Sequence, residues 1–268
     1  LHDWGSRDQS FIDATQNVRD ALVDVSGGGD AFTAVPVQGS GTFAVEAMVG
    51  TFLPKNRKLL IVVNGAYGHR IAKICDYIAR RYTVLETPED TPPDVGTISR
   101  TLADDPDISH VVVIHCETTS GILNPVEDIA AAVAAENRRL LIDAMSAFGA
   151  IPLNLTRISC DAVAASSNKC FEGVPGMGFV LCRKASLEET KGNAHSLSLD
   201  LFDQWQAMEA NGQWRFTPPT HVVFAFEAAL KAHAREGGVD GRFARYSENC
   251  SILVEGMKAF GFEPLLSH

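Results

Sequence analysis

Short apolar runs rich in β-branched residues recur along the chain, at Thr33 to Val37, Leu59 to Val63, His110 to His115, Leu140 to Ile142, Asp161 to Ser166 and Gly178 to Cys182. Each is nearly all apolar instead of alternating, the mark of strands covered on both faces of a mostly parallel sheet. Between them, Phe43 to Phe52, Arg70 to Arg81 and Val126 to Asn137 read as amphipathic helices long enough to serve as crossovers. The pattern predicts an α/β fold with a mostly parallel central sheet and helices on both faces. After Cys182 it changes to a polar stretch as far as Asn193, a Leu/Phe-rich segment to Met208, the run Trp214 to His221, and a helix from Val222 to Arg235. Gly237-Gly238 reads as a helix stop before a last helix from Arg242 to Phe260, and Gly27-Gly28-Gly29 as a turn. Two domains are therefore expected: a large one over 1–235 and the start of a small C-terminal one over 236–268.

Composition narrows the class. The 268 residues are 46% hydrophobic and 21% charged, the balance of a soluble globular chain able to bury a sizeable core. A net charge of -10 without a Lys/Arg cluster argues against nucleic acid and anionic membranes, so an anionic ligand must be held locally. Six cysteines without a C-x-x-C pair fit reduced thiols in the cytoplasm. No apolar run approaches the ~18 residues of a membrane span, and no signal-peptide pattern opens the chain. A start at Leu1 and an end at His268, just after a helix-like segment, read as a piece of a longer protein.

In sheets of this type functional groups gather at the carboxyl ends of strands. Lys169 stands there, after the small and apolar run from Asp161, whereas the other seven lysines lie in polar or amphipathic stretches. An amine in a partly dry site is neutral often enough to attack a carbonyl and form a Schiff base; a solvated loop lysine is the plain alternative. Gln38-Gly-Ser-Gly-Thr42 opens a helix, so Ser40, Gly41 and Thr42 can converge on a phosphate. The same residues match G-x-G-x-x-A, but the next strand ends at Asn64 without the acid a dinucleotide ribose needs. A packing turn is the other alternative. Asp143 closes a strand among small residues, a carboxylate suited to a cationic partner or to a helix cap. Tyr67, bracketed by glycines in its loop, has a ring that could cover a flat cofactor or simply pack. Glu117 to Gly121 offers hydroxyls at a further strand end. His110, His115 and Cys116 lack zinc-ligand spacing, so no metal site is expected, and Cys170 has no identifiable histidine partner for nucleophilic chemistry.

Taken in order, Gln38 to Thr42, Asn64-Gly-Ala-Tyr-Gly-His-Arg70, His115-Cys-Glu-Thr-Thr-Ser-Gly121, Asp143-Ala-Met-Ser-Ala-Phe-Gly149 and Ser166-Ser-Asn-Lys169 resemble the class V, fold type I aminotransferases that use pyridoxal 5'-phosphate. Lys169 to Phe179 and Gln213 to His221 extend the resemblance over nearly the whole chain. It implies that Lys169 carries the cofactor and shuttles the proton, and that Asp143 binds the pyridinium nitrogen. It places Ser40, Gly41 and Thr42 on the phosphate with help from Asn168, Tyr67 over the ring, and Thr118 at the cofactor's polar edge. Thr217 would reach the phosphate across a homodimer interface. The implied reaction is transamination of 2-aminoethylphosphonate with pyruvate, giving phosphonoacetaldehyde and alanine. A serine or alanine aminotransferase acting on glyoxylate or pyruvate, and a non-catalytic cofactor-binding or dimerising fragment, stay open. Most of the family's small C-terminal domain, with its arginine for the keto-acid carboxylate, has no counterpart in these residues.

Overall fold

The computed structural model describes residues 3–266; Leu1 and His2, and Ser267 and His268, at the outer limits of the two expected domains, lie outside the described residues. The chain forms strands β1 (Phe32–Gln38), β2 (Lys58–Val63), β3 (Arg81–Glu86), β4 (Ile108–Ile114), β5 (Arg139–Asp143), β6 (Ala162–Ser166) and β7 (Met177–Arg183). They make one seven-stranded sheet in the order β1-β7-β6-β5-β4-β2-β3. β7 pairs antiparallel with both neighbours, and every other pairing is parallel. Six strands therefore end on the same edge, and β7 alone runs against them.

The helices are α1 (Gln9–Ser26), α2 (Gly41–Phe52), α3 (Ala66–Tyr77), α4 (Val95–Asp104), α5 (Val126–Ala135), α6 (Lys184–Glu188), α7 (Leu201–Asn211), α8 (Thr220–Arg235) and α9 (Gly238–Ala259). Strand residues alternate between two cores: Leu60 and Val62 of β2 join Leu22 of α1, Leu102 of α4, Val133 of α5 and Phe226 of α8. Leu59, Ile61 and Val63 join Met48 of α2, Ile71 of α3 and Trp205 of α7. Both faces are covered, and that is why the strands read as unbroken apolar runs. No described helix is long and apolar enough to cross a membrane.

Four elements depart from the expectations. β3 is absent from the sequence pattern because it is a half-exposed edge strand with mixed residues. The helix expected over Arg70 to Arg81 begins and ends about a turn earlier, because Ala79 takes a left-handed φ of 52° and releases the chain into β3. There Arg80 is buried, its guanidinium donating to the Gly50 and Asn193 carbonyls. α1 and α4 also lie outside the strand-and-crossover pattern. α4 is capped by Asp94, whose carboxylate accepts the Thr97 N–H at 2.8 Å.

Candidate functional site at the carboxyl edge of the sheet

β1 leads directly into the start of α2. Gly39, at a φ of 126° that favours glycine, turns the chain, and its N–H is held by the Gly176 carbonyl at 3.0 Å. Ser40 is the N-cap in extended conformation, yet its hydroxyl makes no capping bond. The first amides of a helix have no intrahelical partner and carry the positive end of its dipole, so this start is open to an anion. A Cβ on Gly41 would stand 2.4 Å from Met145 Sδ, so the start of α2 packs closely on the thioether of the loop after β5.

Asp143 ends β5, between Ile114 of β4 and Ala164 of β6. It is 4% exposed, accepts the Met145 N–H at 3.0 Å on Oδ1, and makes no ion pair with a described residue. Burial pushes its carboxyl up from the usual 3.8 to about 6; the Met145 N–H opposes this, the Glu117 carboxylate adds to it, and the Arg70 and Lys169 cations work against it. Gly41, Thr42, Tyr67, Arg70, Asp143 and Met145 line one cleft. The Arg70 guanidinium lies 4.4 Å from the centroid of the half-buried Tyr67 ring.

Two groups at this edge carried no role in the sequence reading. Glu117 is fully buried; its Oε1 accepts from Thr119 N at 3.2 Å and Thr119 Oγ1 at 2.9 Å, while Oε2 has no partner. A Cβ on Gly65 would lie 2.4 Å from Glu117 Cδ, so the loop after β2 closes directly on this acid. Arg70 figured only as part of a motif. The signal for Glu117 was present as a charged residue just past the end of β4, whereas Arg70 stands a turn into α3. Behind them Asn64 and Asn124 exchange hydrogen bonds of 2.8 and 3.2 Å, fixing the loops after β2 and β4 to each other. His115 is buried, its Nδ1 lacks a partner, and burial pushes it down to about 4, so it is neutral at pH 7.

Lys169 differs from the partly dry amine the sequence suggested. It is exposed in the isolated chain, as is Asn168, because β6 ends at Ser166 and the chain turns outward after the buried Ser167. The Glu172 N–H closes that turn on the Lys169 carbonyl at 2.8 Å. The ammonium makes no hydrogen bond or ion pair with a described residue, yet it is near enough to act on Asp143. Ser40, Thr118 and Thr217 are likewise not buried. The cleft thus gathers Gly41, Thr42, Tyr67 and Asp143, with Lys169 within electrostatic reach. Thr217, between α7 and α8, does not line it.

A buried acid with a lysine within electrostatic reach, beside an anion-ready helix start, is the arrangement that the resemblance to the class-V aminotransferases implies. The chain belongs to that family, whose sequence description, Aminotransferase class-V, matches residues 3–263. Among curated relatives it is 53% identical to 2-aminoethylphosphonate--pyruvate transaminase 1 of Paraburkholderia xenovorans, over 100% of this chain and 69% of that protein. It is 51% identical to the 2-aminoethylphosphonate--pyruvate transaminase of Pseudomonas aeruginosa, over 98% of this chain and 71% of that protein. In fold it matches an alanine--glyoxylate aminotransferase from Nostoc sp. with a TM-score of 0.91 at 20% identity, covering 100% of this chain and 71% of the other. Ureidoglycine-glyoxylate aminotransferase from Bacillus subtilis gives 0.88 at 21% identity, with 98% and 68% covered.

Proposed function

We propose that this chain carries out transamination of 2-aminoethylphosphonate with pyruvate, yielding phosphonoacetaldehyde and alanine, with pyridoxal 5'-phosphate as cofactor. The observation that carries the reading is 53% identity across the whole chain to a transaminase of that name. The residues present suit the cofactor. Asp143 is a buried carboxylate with one hydrogen bond and no ion pair, the environment that favours a cationic ring nitrogen. Ser40, Gly41 and Thr42 offer hydroxyls and helix-start amides to a phosphate, which Asn168 would assist. Tyr67 would cover the ring and Thr118 would serve its polar edge.

When bound, the cofactor supplies an aldehyde that exchanges amino groups and a ring that accepts an electron pair. Lys169 Nζ would hold the cofactor, and its amine, once freed, would take the proton from the substrate's amine-bearing carbon and deliver it to the cofactor carbon that carried the aldehyde. Asp143 would keep the proton on the ring nitrogen. In this reading the protein is a cytoplasmic homodimer, with Thr217 of each copy serving the other's phosphate site, and residues 236–268 begin a small domain. Borohydride reduction of the cofactor-loaded protein, followed by peptide mass mapping, should label Lys169. A coupled assay should show turnover of 2-aminoethylphosphonate ahead of serine and alanine. Turnover of serine without the phosphonate would move the reading to a serine aminotransferase.

A further inference from the structure

Arg242 is the one residue of α9 that is buried, and its side chain is among the largest fully enclosed in the described residues. A buried guanidinium is costly unless its donors are used. One of them, Nη1, donates to the carbonyl of Cys170, the residue after Lys169. Nε and Nη2 grip Glu236 Oε2 at 2.9 and 2.6 Å at the corner between α8 and α9. Glu172, in the lysine turn itself, lies 3.5 Å from Arg242 Nη1 and accepts from Arg245 and from the Tyr246 hydroxyl, each at 2.9 Å. Arg245 returns to Glu236 at 2.7 Å, closing a ring of two acids and two arginines.

The lysine turn is thereby held from two sides. Cys170 Sγ donates to the Ser146 carbonyl at 3.4 Å, on the loop that follows Asp143, while Cys170 O is held by α9. Within the turn, Gly173 N bonds the Ser167 carbonyl at 2.9 Å, and Glu172 takes a left-handed φ of 57°, an uncommon state for a residue with a side chain. Packing alone gives no reason to point the single buried residue of α9 at the peptide beside the reactive amine. We infer that Arg242 is a positioning residue for Lys169, with Glu172 and Glu236 as its counter-charges, so that α9 sets where the amine stands relative to Asp143. This rests on the reading of Lys169 as the cofactor-bearing lysine.

The test uses Arg242→Lys, Arg242→Met and Glu172→Gln in the full chain. In the cofactor-free protein, amide hydrogen exchange over residues 167–173 should speed up by about tenfold, while the strands keep wild-type protection. In the loaded enzyme kcat should fall by about tenfold or more with a much smaller change in KM, since the lost contact orients the amine and does not bind substrate. Arg242→Lys, which keeps the charge, should lie between wild type and Arg242→Met. If Arg242→Met does not fold, the half-exposed Glu172 decides. Folded variants with wild-type exchange in the turn and wild-type kcat overturn the inference. A borohydride label on another lysine sinks the cofactor reading instead, and a label on Lys169 with unaltered variants sinks the clamp alone.

Discussion

Replacing Asp143 by asparagine separates what this residue does for stability from what it does for chemistry. Its carboxyl is held at about 6 in the folded chain, against an ordinary 3.8. The folded state therefore binds the proton more tightly than the unfolded one. The associated stability is complete below about pH 4 and is lost as pH rises through about 6. At about 1.4 kcal/mol per pH unit the loss is about 3 kcal/mol, because above pH 7 a buried carboxylate stays ionised with one hydrogen bond. An asparagine in its place would still accept the Met145 N–H but would carry no charge. In cofactor-free protein at pH 7.5, Asp143→Asn should raise the thermal midpoint by roughly 6–9 °C for a chain of this size. The gain should vanish near pH 4. In the loaded enzyme the same substitution should lower kcat by about 100-fold or more, since nothing then keeps the ring nitrogen protonated. Scanning calorimetry across pH 4 to 8 and a coupled assay measure the two effects. A variant no more stable than wild type at pH 7.5, or a difference that persists at pH 4, refutes the burial argument.

Two neighbours of Asp143 should move it in opposite directions. Glu117→Gln removes a buried negative charge while keeping an acceptor for Thr119, so the pH at which cofactor-free stability declines should fall below about 6. Arg70→Gln removes a cation that favours the carboxylate, and the same calorimetric transition should move to higher pH. Gly41→Ala would place a methyl 2.4 Å from Met145 Sδ, so the thioether must swing aside, and should destabilise the chain by about 1 kcal/mol at most. Cofactor retention on equilibrium dialysis should weaken with it, and Met145→Ala in the same chain should restore part of both.

The sheet was legible because burial on both faces writes strands as continuous apolar runs, and six of the seven were found to within a residue or two at their ends. β3 was not, since an edge strand with one exposed flank carries no such signature. Asp143 and the start of α2 were legible for a related reason: strand direction puts their residue types at an edge where nothing else explains them. The exposure of Lys169 was not legible. It depends on where β6 stops and on a turn whose closing bonds join residues three and six apart. Arg242 was invisible to any local reading, because its partners Cys170 and Glu172 stand about seventy positions earlier.

The sheet also contains its own control for Asp143. Asp161, just before β6, is a second buried aspartate, 8% exposed, and burial raises its carboxyl as well. But Asp161 accepts the Ser186 hydroxyl, and the Arg139 and Arg183 cations work to hold it down. Its backbone is fixed on both sides, by Leu140 O and by Arg183 N, each at 2.8 Å. It lies at the amino edge of the parallel strands and ties β5, β6 and β7 together, although its Oδ2 has no partner and the Glu189 carboxylate adds to the rise. Asp143, at the opposite edge, has a single backbone donor and a buried acid, Glu117, which makes its ionisation harder. The same residue type, at similar burial on neighbouring strands, takes a side-chain hydroxyl of its own chain at one edge and lines a cleft at the other. Burial alone does not account for that difference, since both are buried; the orientation of the strands does, because Asp143 stands at the carboxyl edge, where sheets of this type gather their functional groups.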